Sequence, residues 1–264
     1  MIMRIITPVV AMAVLGLIFG VGLAYALKIF GIKIDPKIFK LISLLPGSNC
    51  GACGRPGCAG FAEALANGEA TPAGCVVSNS EARKAMAETL GLGHEEKVKT
   101  AAAILCNGGR RAKDKYVYEG IKSCRAATLL FGGYKACSFG CLGLGDCIED
   151  CPFGAIRMGA DNLPIVDINK CTACGKCVKV CPKSLYILLP VSSGYYVKCN
   201  SRDPGGATAK VCQSGCIACM KCEKACPTGA VKVESNLSKI DSGKCKNIGK
   251  CFEVCPTKVI AKRG

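Results

Sequence analysis

The chain has 264 residues, of which 23 are cysteines, and a formal net charge of +16. A disulfide framework is not expected, because disulfides need an oxidising compartment and an odd number of cysteines leaves one thiol over. The positive charge is typical of proteins that bind nucleic acid or anionic lipid, but it counts every cysteine as neutral.

The first feature along the chain is an uncharged apolar run from Ile5 to Leu27. As a helix this run is roughly 35 Å long, enough to cross the hydrocarbon layer of a membrane. A cleaved signal peptide is the alternative, since Ala24-Tyr25-Ala26 resembles a cleavage site. The run is longer than a typical signal core, however, and only Arg4 precedes it. We therefore predict a transmembrane anchor over residues 1–30.

The charges beside this anchor predict its orientation. One arginine precedes the run and four lysines follow it: Lys28, Lys33, Lys37 and Lys40. By the positive-inside rule the rest of the chain lies in the cytoplasm, where thiols stay reduced. The expected location is therefore the cell (inner) membrane, crossed once.

Residues 31–95 predict a small helical domain. Asp35 and Pro36 are typical of a helix start, and Pro46-Gly47 ends this helix. Its apolar face is expected either on the membrane surface or against the next part of the domain. A polar helix from Ser78 to Leu90, capped at Ser78 or Ser80, is predicted to end the domain.

The first cysteine set stands between these two helices. Its members are Cys50, Cys53, Cys58 and Cys75, with glycines among the first three and a short predicted helix from about Ala59 to Ala66. Glycines let the backbone curl tightly, so that the thiols converge. The spacing favours a [4Fe–4S] cluster, and zinc is the alternative.

Four further cysteine runs end in Cys-Pro. They are Cys141…Cys147-x3-Cys151, Cys171-x2-Cys174-x2-Cys177-x3-Cys181, Cys216-x2-Cys219-x2-Cys222-x3-Cys226, and Cys245…Cys251-x3-Cys255. A short apolar segment, predicted as a strand, follows each run. In a two-cluster ferredoxin the first three cysteines of a run hold one cluster and the fourth holds the other. We therefore predict two tandem two-cluster domains, at 96–190 and 191–264.

An internal repeat relates these two halves. Cys124, Cys137, Cys141, Cys147 and Cys151 recur at positions 199, 212, 216, 222 and 226, which indicates a duplication. The comparison exposes two gaps, because Leu144 stands where the second half has Cys219, and Ile248 where Cys174 is expected. Cys137, four residues before Cys141, is the predicted substitute for the first gap.

The cysteines then divide into five or six predicted sites. Beside the first set, these are Cys137, Cys141, Cys147 and Cys181; Cys151, Cys171, Cys174 and Cys177; Cys216, Cys219, Cys222 and Cys255; an incomplete site of Cys226, Cys245 and Cys251; and a remainder of Cys106, Cys124, Cys199 and Cys212. The remainder either forms a sixth cluster that bridges the halves or consists of buried structural thiols.

The incomplete site has two interpretations. Three converging thiols can hold a [3Fe–4S] cluster, or a [4Fe–4S] cluster with a water or borrowed ligand. Alternatively the site is empty, and Ile248 packs as core in the vacated space.

The anchor, the L-L-P-G-S-N-C-G-A-C-G-R-P-G-C-A-G-F-A run and the C-S-F-G-C-L-G-L-G-D-C-I-E-D-C-P-F-G-A-I run together resemble a known family. It is the B subunit of the Rnf-type ion-translocating ferredoxin:NAD oxidoreductase complex, and the resemblance covers nearly the whole chain. It implies an α+β polyferredoxin that accepts electrons from reduced ferredoxin and relays them to flavin- and NAD-binding subunits. Ile248 departs from the family pattern.

The sequence contains little that points to other functions. There is no nucleophile–base constellation and no Walker loop, and Gly143-x-Gly145 lacks the third glycine of a dinucleotide fingerprint. A zinc-stapled nucleic-acid-binding protein is the competing class, but the anchor and the four Cys-Pro endings argue against it. A relay subunit of a different membrane oxidoreductase is the nearer alternative. The expected ferredoxin surface is the basic C-terminal run of Lys239, Lys244, Lys246, Lys250, Lys258, Lys262 and Arg263.

Overall fold

The computed structural model describes residues 2–30, 35–93 and 98–263. Lys33 and the predicted boundary between residues 95 and 96 lie outside the described residues. The helices are α1 Ile2–Phe30, α2 Pro36–Leu44, α3 Gly57–Ala66, α4 Ser80–Leu90, α5 Cys124–Leu129, α6 Asp146–Glu149, α7 Lys176–Val180, α8 Gly205–Val211, α9 Lys221–Lys224 and α10 Lys250–Glu253. The strands are β1 Thr100–Ile104, β2 Ile156–Met158, β3 Pro164–Val166, β4 Tyr186–Pro190, β5 Tyr195–Val197, β6 Val231–Glu234, β7 Leu237–Ile240 and β8 Ile260–Lys262.

Helix α1 carries the apolar run. Its segment Val10–Ile29 has a mean hydropathy of 2.3, and none of it is buried against the rest of the chain. Within the described residues it is the one helix long and apolar enough to cross a membrane.

The four-cysteine region has its own hydrophobic core. Asp35 caps α2 by accepting a hydrogen bond from the Lys37 N–H at 2.8 Å. Leu41 of α2 is fully buried in a cluster with Phe61 and Met86. The apolar face of α2 therefore packs against α3 and α4. The cap of α4 is Asn79, which accepts a hydrogen bond from the Ala82 N–H at 2.7 Å, rather than either predicted serine.

Each later half contains two antiparallel strand pairs. In the first half β1 pairs with β4, and β2 pairs with β3. In the second, β5 pairs with β8, and β6 pairs with β7. A strand follows every Cys-Pro run, as predicted. Two hydrophobic clusters, one for each half, include most of the cysteines.

The side chain of Arg263 joins the two halves. Its guanidinium donates to the carbonyls of Ala101 at 2.8 Å and Ala102 at 3.4 Å in β1. It also donates to the carbonyls of Leu189 at 3.2 Å and Pro190 at 3.0 Å in β4. A residue next to β8 thus binds the edge of the first half's longest sheet.

Candidate iron–sulfur centres

The four Cys-Pro loops share one backbone shape. The residue before each second-ligand position has a positive φ, from 53° to 69°, in Gly143, Ala173, Ala218 and Asn247. The residue after it is again left-handed, from 57° to 94°, in Gly145, Gly175, Met220 and Gly249. Such alternation turns successive N–H groups toward one side, which forms an anion-binding concavity. The loops at Leu144 and Ile248 keep this shape although their cysteines are missing.

The first cysteine set lines a cavity of about 320 Å³. All four predicted thiols, Cys50, Cys53, Cys58 and Cys75, face it. The Ser78 hydroxyl donates to Cys75 Sγ at 3.1 Å. If Cys75 binds a cluster as a thiolate, the Ser78 hydroxyl can donate a hydrogen bond to its sulfur.

A second cavity, of about 390 Å³, lies in the first half. Its cysteines are Cys124, Cys141, Cys147 and Cys181. The Cys124 thiol is half-buried, which raises its pKa, and it accepts hydrogen bonds from the backbone N–H groups of Leu144, Asp146 and Gly145. It therefore occupies the place of the cysteine that is missing at position 144. The predicted substitute, Cys137, does not line this cavity.

The Asp146 carboxylate fixes this thiol in position. It accepts hydrogen bonds from the Cys124 N–H at 2.7 Å and from the Arg125 N–H at 3.0 Å. Burial alone would raise the pKa of Asp146, but these hydrogen bonds hold it below its usual value. The Asp146 carboxylate thus binds the N–H groups at the start of helix α5, beside the cavity.

A third cavity, of about 380 Å³, is shared by the two halves. Cys106 and Cys137 line it from the first half, and Cys199 and Cys212 from the second. The contacts are pseudo-symmetric, because the Cys141 N–H donates to Cys106 Sγ and the Cys216 N–H to Cys199 Sγ, both at 3.4 Å. Of the predicted bridging set, Cys106, Cys199 and Cys212 line this cavity and Cys124 does not; Cys137 and Cys141 line it as well.

The predicted complete set of the second half lines a cavity of about 330 Å³: Cys216, Cys219, Cys222 and Cys255. The Ser238 hydroxyl and Cys222 Sγ lie 3.3 Å apart.

The thiols of the next predicted set lie close enough together for their charges to repel one another. Burial raises the pKa of Cys177 to about 12, and the neighbouring thiolates of Cys171, Cys174, Cys147 and Cys151 contribute to the rise. The predicted members Cys151, Cys171, Cys174 and Cys177 are therefore neighbours.

The incomplete set also converges. Burial raises the pKa of Cys251, and the charges of Cys245 and Cys226 raise it further. Ile248 is 51% exposed, so its side chain does not pack as core in the site. Cys219, its counterpart in the complete loop, is exposed as well. The fourth corner of this site therefore faces solvent.

The six cysteine sets follow one another as neighbours. Cys50 of the first set interacts by charge with Cys174, which belongs to the set of Cys151, Cys171, Cys174 and Cys177. Cys177 of that set interacts in the same way with Cys147, which lines the cavity of Cys124. Three more links continue the row: Cys141 with Cys106, Cys199 with Cys216, and Cys251 with Cys222. The shared cavity lies in the middle of this row.

The thiol spacing fits clusters better than single ions. Among residues 2–30, 35–93 and 98–263, no three Cys, His, Asp or Glu side chains converge closely enough to hold one metal ion. Around a single zinc ion every ligand sulfur lies about 2.3 Å from the same atom. In a cubane each thiolate binds a different iron, so the sulfurs lie further apart.

Family models match the same segments. The Fe-S cluster family FeS matches residues 45–77, and three 4Fe-4S dicluster domain models match residues 136–186, 163–227 and 215–259. The chain therefore contains several [4Fe–4S]-type sites.

Relatives extend the match to nearly the whole chain. The B subunit of the Na(+)-translocating ferredoxin:NAD(+) oxidoreductase complex of Acetobacterium woodii is 44% identical over 262 residues, which are 99% of this chain and 79% of that protein. The chain belongs to the family of B subunits of ion-translocating oxidoreductase complexes. The B subunit of the proton-translocating complex of Clostridium ljungdahlii is 41% identical over 97% of this chain and 92% of its own. The B subunit of the ion-translocating complex of Methanosarcina acetivorans is 40% identical over 98% of both chains. A member of this family with an apolar N-terminal helix is a membrane-associated iron–sulfur protein.

Proposed function

We propose that this member of the family takes electrons from reduced ferredoxin and relays them to the flavin- and NAD-binding subunits of a ferredoxin:NAD oxidoreductase complex. The row of neighbouring cysteine sets is the observation that carries the proposal. Electron transfer between redox centres falls steeply with distance, and a row of adjacent sites keeps every step short. The chain contributes ligands and positioning, with no catalytic side chain of its own.

The proposed ligands are all 23 cysteines, in six sites. The sites are Cys50, Cys53, Cys58 and Cys75; Cys151, Cys171, Cys174 and Cys177; Cys124, Cys141, Cys147 and Cys181; Cys106, Cys137, Cys199 and Cys212; Cys216, Cys219, Cys222 and Cys255; and Cys226, Cys245 and Cys251. Clusters bound there would accept and donate one electron each. The tandem arrangement of two two-cluster domains after a four-cysteine domain is part of the same proposal.

The site of Cys226, Cys245 and Cys251 is proposed to hold a cluster with three protein thiolates. The retained loop shape and the exposed fourth corner support this assignment, since water can reach the uncoordinated iron. Asn247 supports the loop by accepting a hydrogen bond from the Gly194 N–H at 2.8 Å and donating to the Ser192 carbonyl at 2.9 Å.

The proposed ferredoxin surface is the basic run near the end of the second half. Lys244, Lys246 and Lys250 are exposed there and suit an acidic partner. Arg263 is a correction to the predicted set, because its guanidinium is bound to four carbonyls of the first half. The iron–sulfur region is proposed to lie on the cytoplasmic side, as the flanking lysines predict.

The test uses the full chain in its complex, purified without oxygen. We expect iron without stoichiometric zinc, a brown colour that dithionite bleaches, and the same bleaching by reduced ferredoxin in rapid mixing. A colourless, zinc-loaded protein would overturn the proposal. Bleaching by dithionite but not by ferredoxin would show that the electrons enter from another donor.

A further inference from the structure

An exposed hydrophobic patch lies on the first half, beside the cavity of Cys124. It consists of Val117, Ile121, Leu129, Leu130 and Phe131, which are exposed by 84%, 75%, 82%, 50% and 89%. Single exposed apolar side chains are ordinary, but a group of them marks an interaction site.

Hydrogen bonds hold the two segments of the patch together. The Tyr116 hydroxyl donates to the Leu130 carbonyl at 2.8 Å and the Lys115 N–H to the Tyr134 carbonyl at 2.7 Å, and both bonds join the two segments. Within the first segment the Tyr118 hydroxyl donates to the Ile121 carbonyl at 2.9 Å. The Tyr118 and Tyr134 rings stack with their centroids 5.9 Å apart. The five side chains therefore form a defined surface.

Phe131 is unfavourable for folding in two ways. It follows α5 with a φ of +50°, a left-handed conformation that normally selects glycine at a helix end. Its side chain is also almost fully in water. Glycines stand next to it at 132 and 133, so the chain places the bulky residue where a small one would cost less. Such a residue is expected where a partner covers it.

The charges around the patch are mainly basic. Lys115, Lys122 and Arg125 are exposed in or next to its two segments, against Glu119 and Asp114, and Asp114 is paired with Lys135 at 2.7 Å. Within the described residues Lys122 and Arg125 form no ion pair. The Lys115 ammonium lies 3.4 Å from the Phe131 carbonyl, so this charge borders the patch directly. A protein face with an apolar centre and acidic side chains at its rim is complementary to this surface.

The patch also lies one short helix from a proposed ligand. Helix α5 begins at Cys124 and ends at Leu129, so Cys124 and the patch are at opposite ends of six residues. A lipid surface would also complement these charges, but lipid accepts no electrons from a redox centre. A protein that accepts electrons would need its docking site close to such a centre.

We infer that this hydrophobic patch docks another subunit of the same complex, one with an apolar face, an acidic rim and a redox group near that face. The inference rests on the proposed function and adds the place where electrons leave the chain. Reduced ferredoxin is proposed to enter at the other half, at the exposed Lys244, Lys246 and Lys250.

The decisive experiment places p-benzoylphenylalanine at Phe131 in the full chain and irradiates native membranes. Leu188, 40% exposed on β4, is the control position. We expect a crosslink to a protein of the complex from position 131 and none from position 188. A crosslink to lipid only, to ferredoxin, or to nothing would overturn the inference.

A second variant separates docking from folding and from the relay. Phe131→Asp should lower co-purification of the other subunits at least about tenfold, because a charge would be buried in an apolar contact. Iron content and reduction by ferredoxin should stay at the wild-type level, and Leu188→Asp should change none of these. Wild-type co-purification with Phe131→Asp would contradict docking. A wild-type chain without iron would instead contradict the proposed function, because it would hold no clusters to relay electrons.

Discussion

The Tyr186 hydroxyl lies 3.2 Å from Cys147 Sγ, and the tyrosine is almost fully buried. A donor to a ligand sulfur stabilises the more negative, reduced state of a cluster and so raises its potential. We expect Tyr186→Phe to shift the reduction equilibrium of this site about tenfold toward oxidised, which is ~59 mV for one electron. Potentiometric EPR titration measures the shift. Tyr118→Phe, which removes a hydroxyl bound to a carbonyl, should leave the potential unchanged.

Single cysteine variants test the exchange between Cys124 and Cys137. Cys124→Ala should remove the same EPR signal as Cys181→Ala, because both thiols line the cavity of the first half. Cys137→Ala should remove the signal that Cys199→Ala removes, because both line the shared cavity. A Cys124→Ala, Cys199→Ala double variant should then lose about eight irons, two cubanes. A loss of about four would restore the grouping predicted from the sequence.

Ile248→Cys tests the three-thiolate site by restoring its fourth ligand. The loop already has the shape of the complete ones, so the new thiol should reach the uncoordinated iron. We expect mild oxidation of the parent protein to remove the uncoordinated iron and give a three-iron EPR signal, and the variant to keep its [4Fe–4S] signal under the same treatment. Leu144→Cys is the matched control and should add no iron, since Cys124 already fills that corner. Equal iron content and spectra for Ile248→Cys and its parent would show that the site is empty.

Charge reversal tests the ferredoxin surface. Replacing Lys244, Lys246 and Lys250 with Glu should slow ferredoxin oxidation at low salt and flatten its salt dependence, because steering by opposite charge is lost. The control reverses three exposed lysines outside the second half and away from the anchor: Lys84, Lys99 and Lys170. Equal rates for the two triple variants would place the ferredoxin surface elsewhere.

Arg263→Ala should weaken the contact between the two halves. Four carbonyls would lose a charged donor, and we expect a loss of roughly 2 kcal/mol in the free energy of unfolding. Chemical denaturation measures it, and hydrogen exchange should increase selectively in β1 and β4. Lys262→Ala, one residue away and exposed, is the control. An unchanged exchange rate in β1 would mean that other contacts hold the halves together.

Local spacing made most of the site predictable. The Cys-Pro runs place their thiols within a few residues of one another, so the structure brings the thiols of the first set, and those of the second half's complete set, to one cavity each. The exchange of Cys124 and Cys137 was not predictable from a linear repeat. Cys106 and Cys199 each follow a strand and each accept an N–H at 3.4 Å, so they are the true counterparts. The connection from Cys106 to Cys141 is longer than that from Cys199 to Cys216, because it includes α5 and Cys124. The constant offset of the repeat therefore does not align Cys106 with Cys199.

The cap of α4 and the position of Arg263 were not predicted, for different reasons. Ser78, Asn79 and Ser80 are all good caps, and the choice depends on Ser78 being drawn to Cys75 by its hydroxyl. Arg263 stands in a basic run and looks like a surface charge. Only the tertiary fold brings the carbonyls of β1 beside it.

The shared cavity imposes an order on biosynthesis. Cys106 and Cys137 emerge well before Cys199 and Cys212, and Arg263 reaches β1 across 162 residues of chain. The other complete sets each lie within one half and can be filled as that half folds. The central site has no complete set of ligands until both halves exist. A cluster bound there would therefore form only once the two halves have docked, and electrons could pass from one half to the other only after that step.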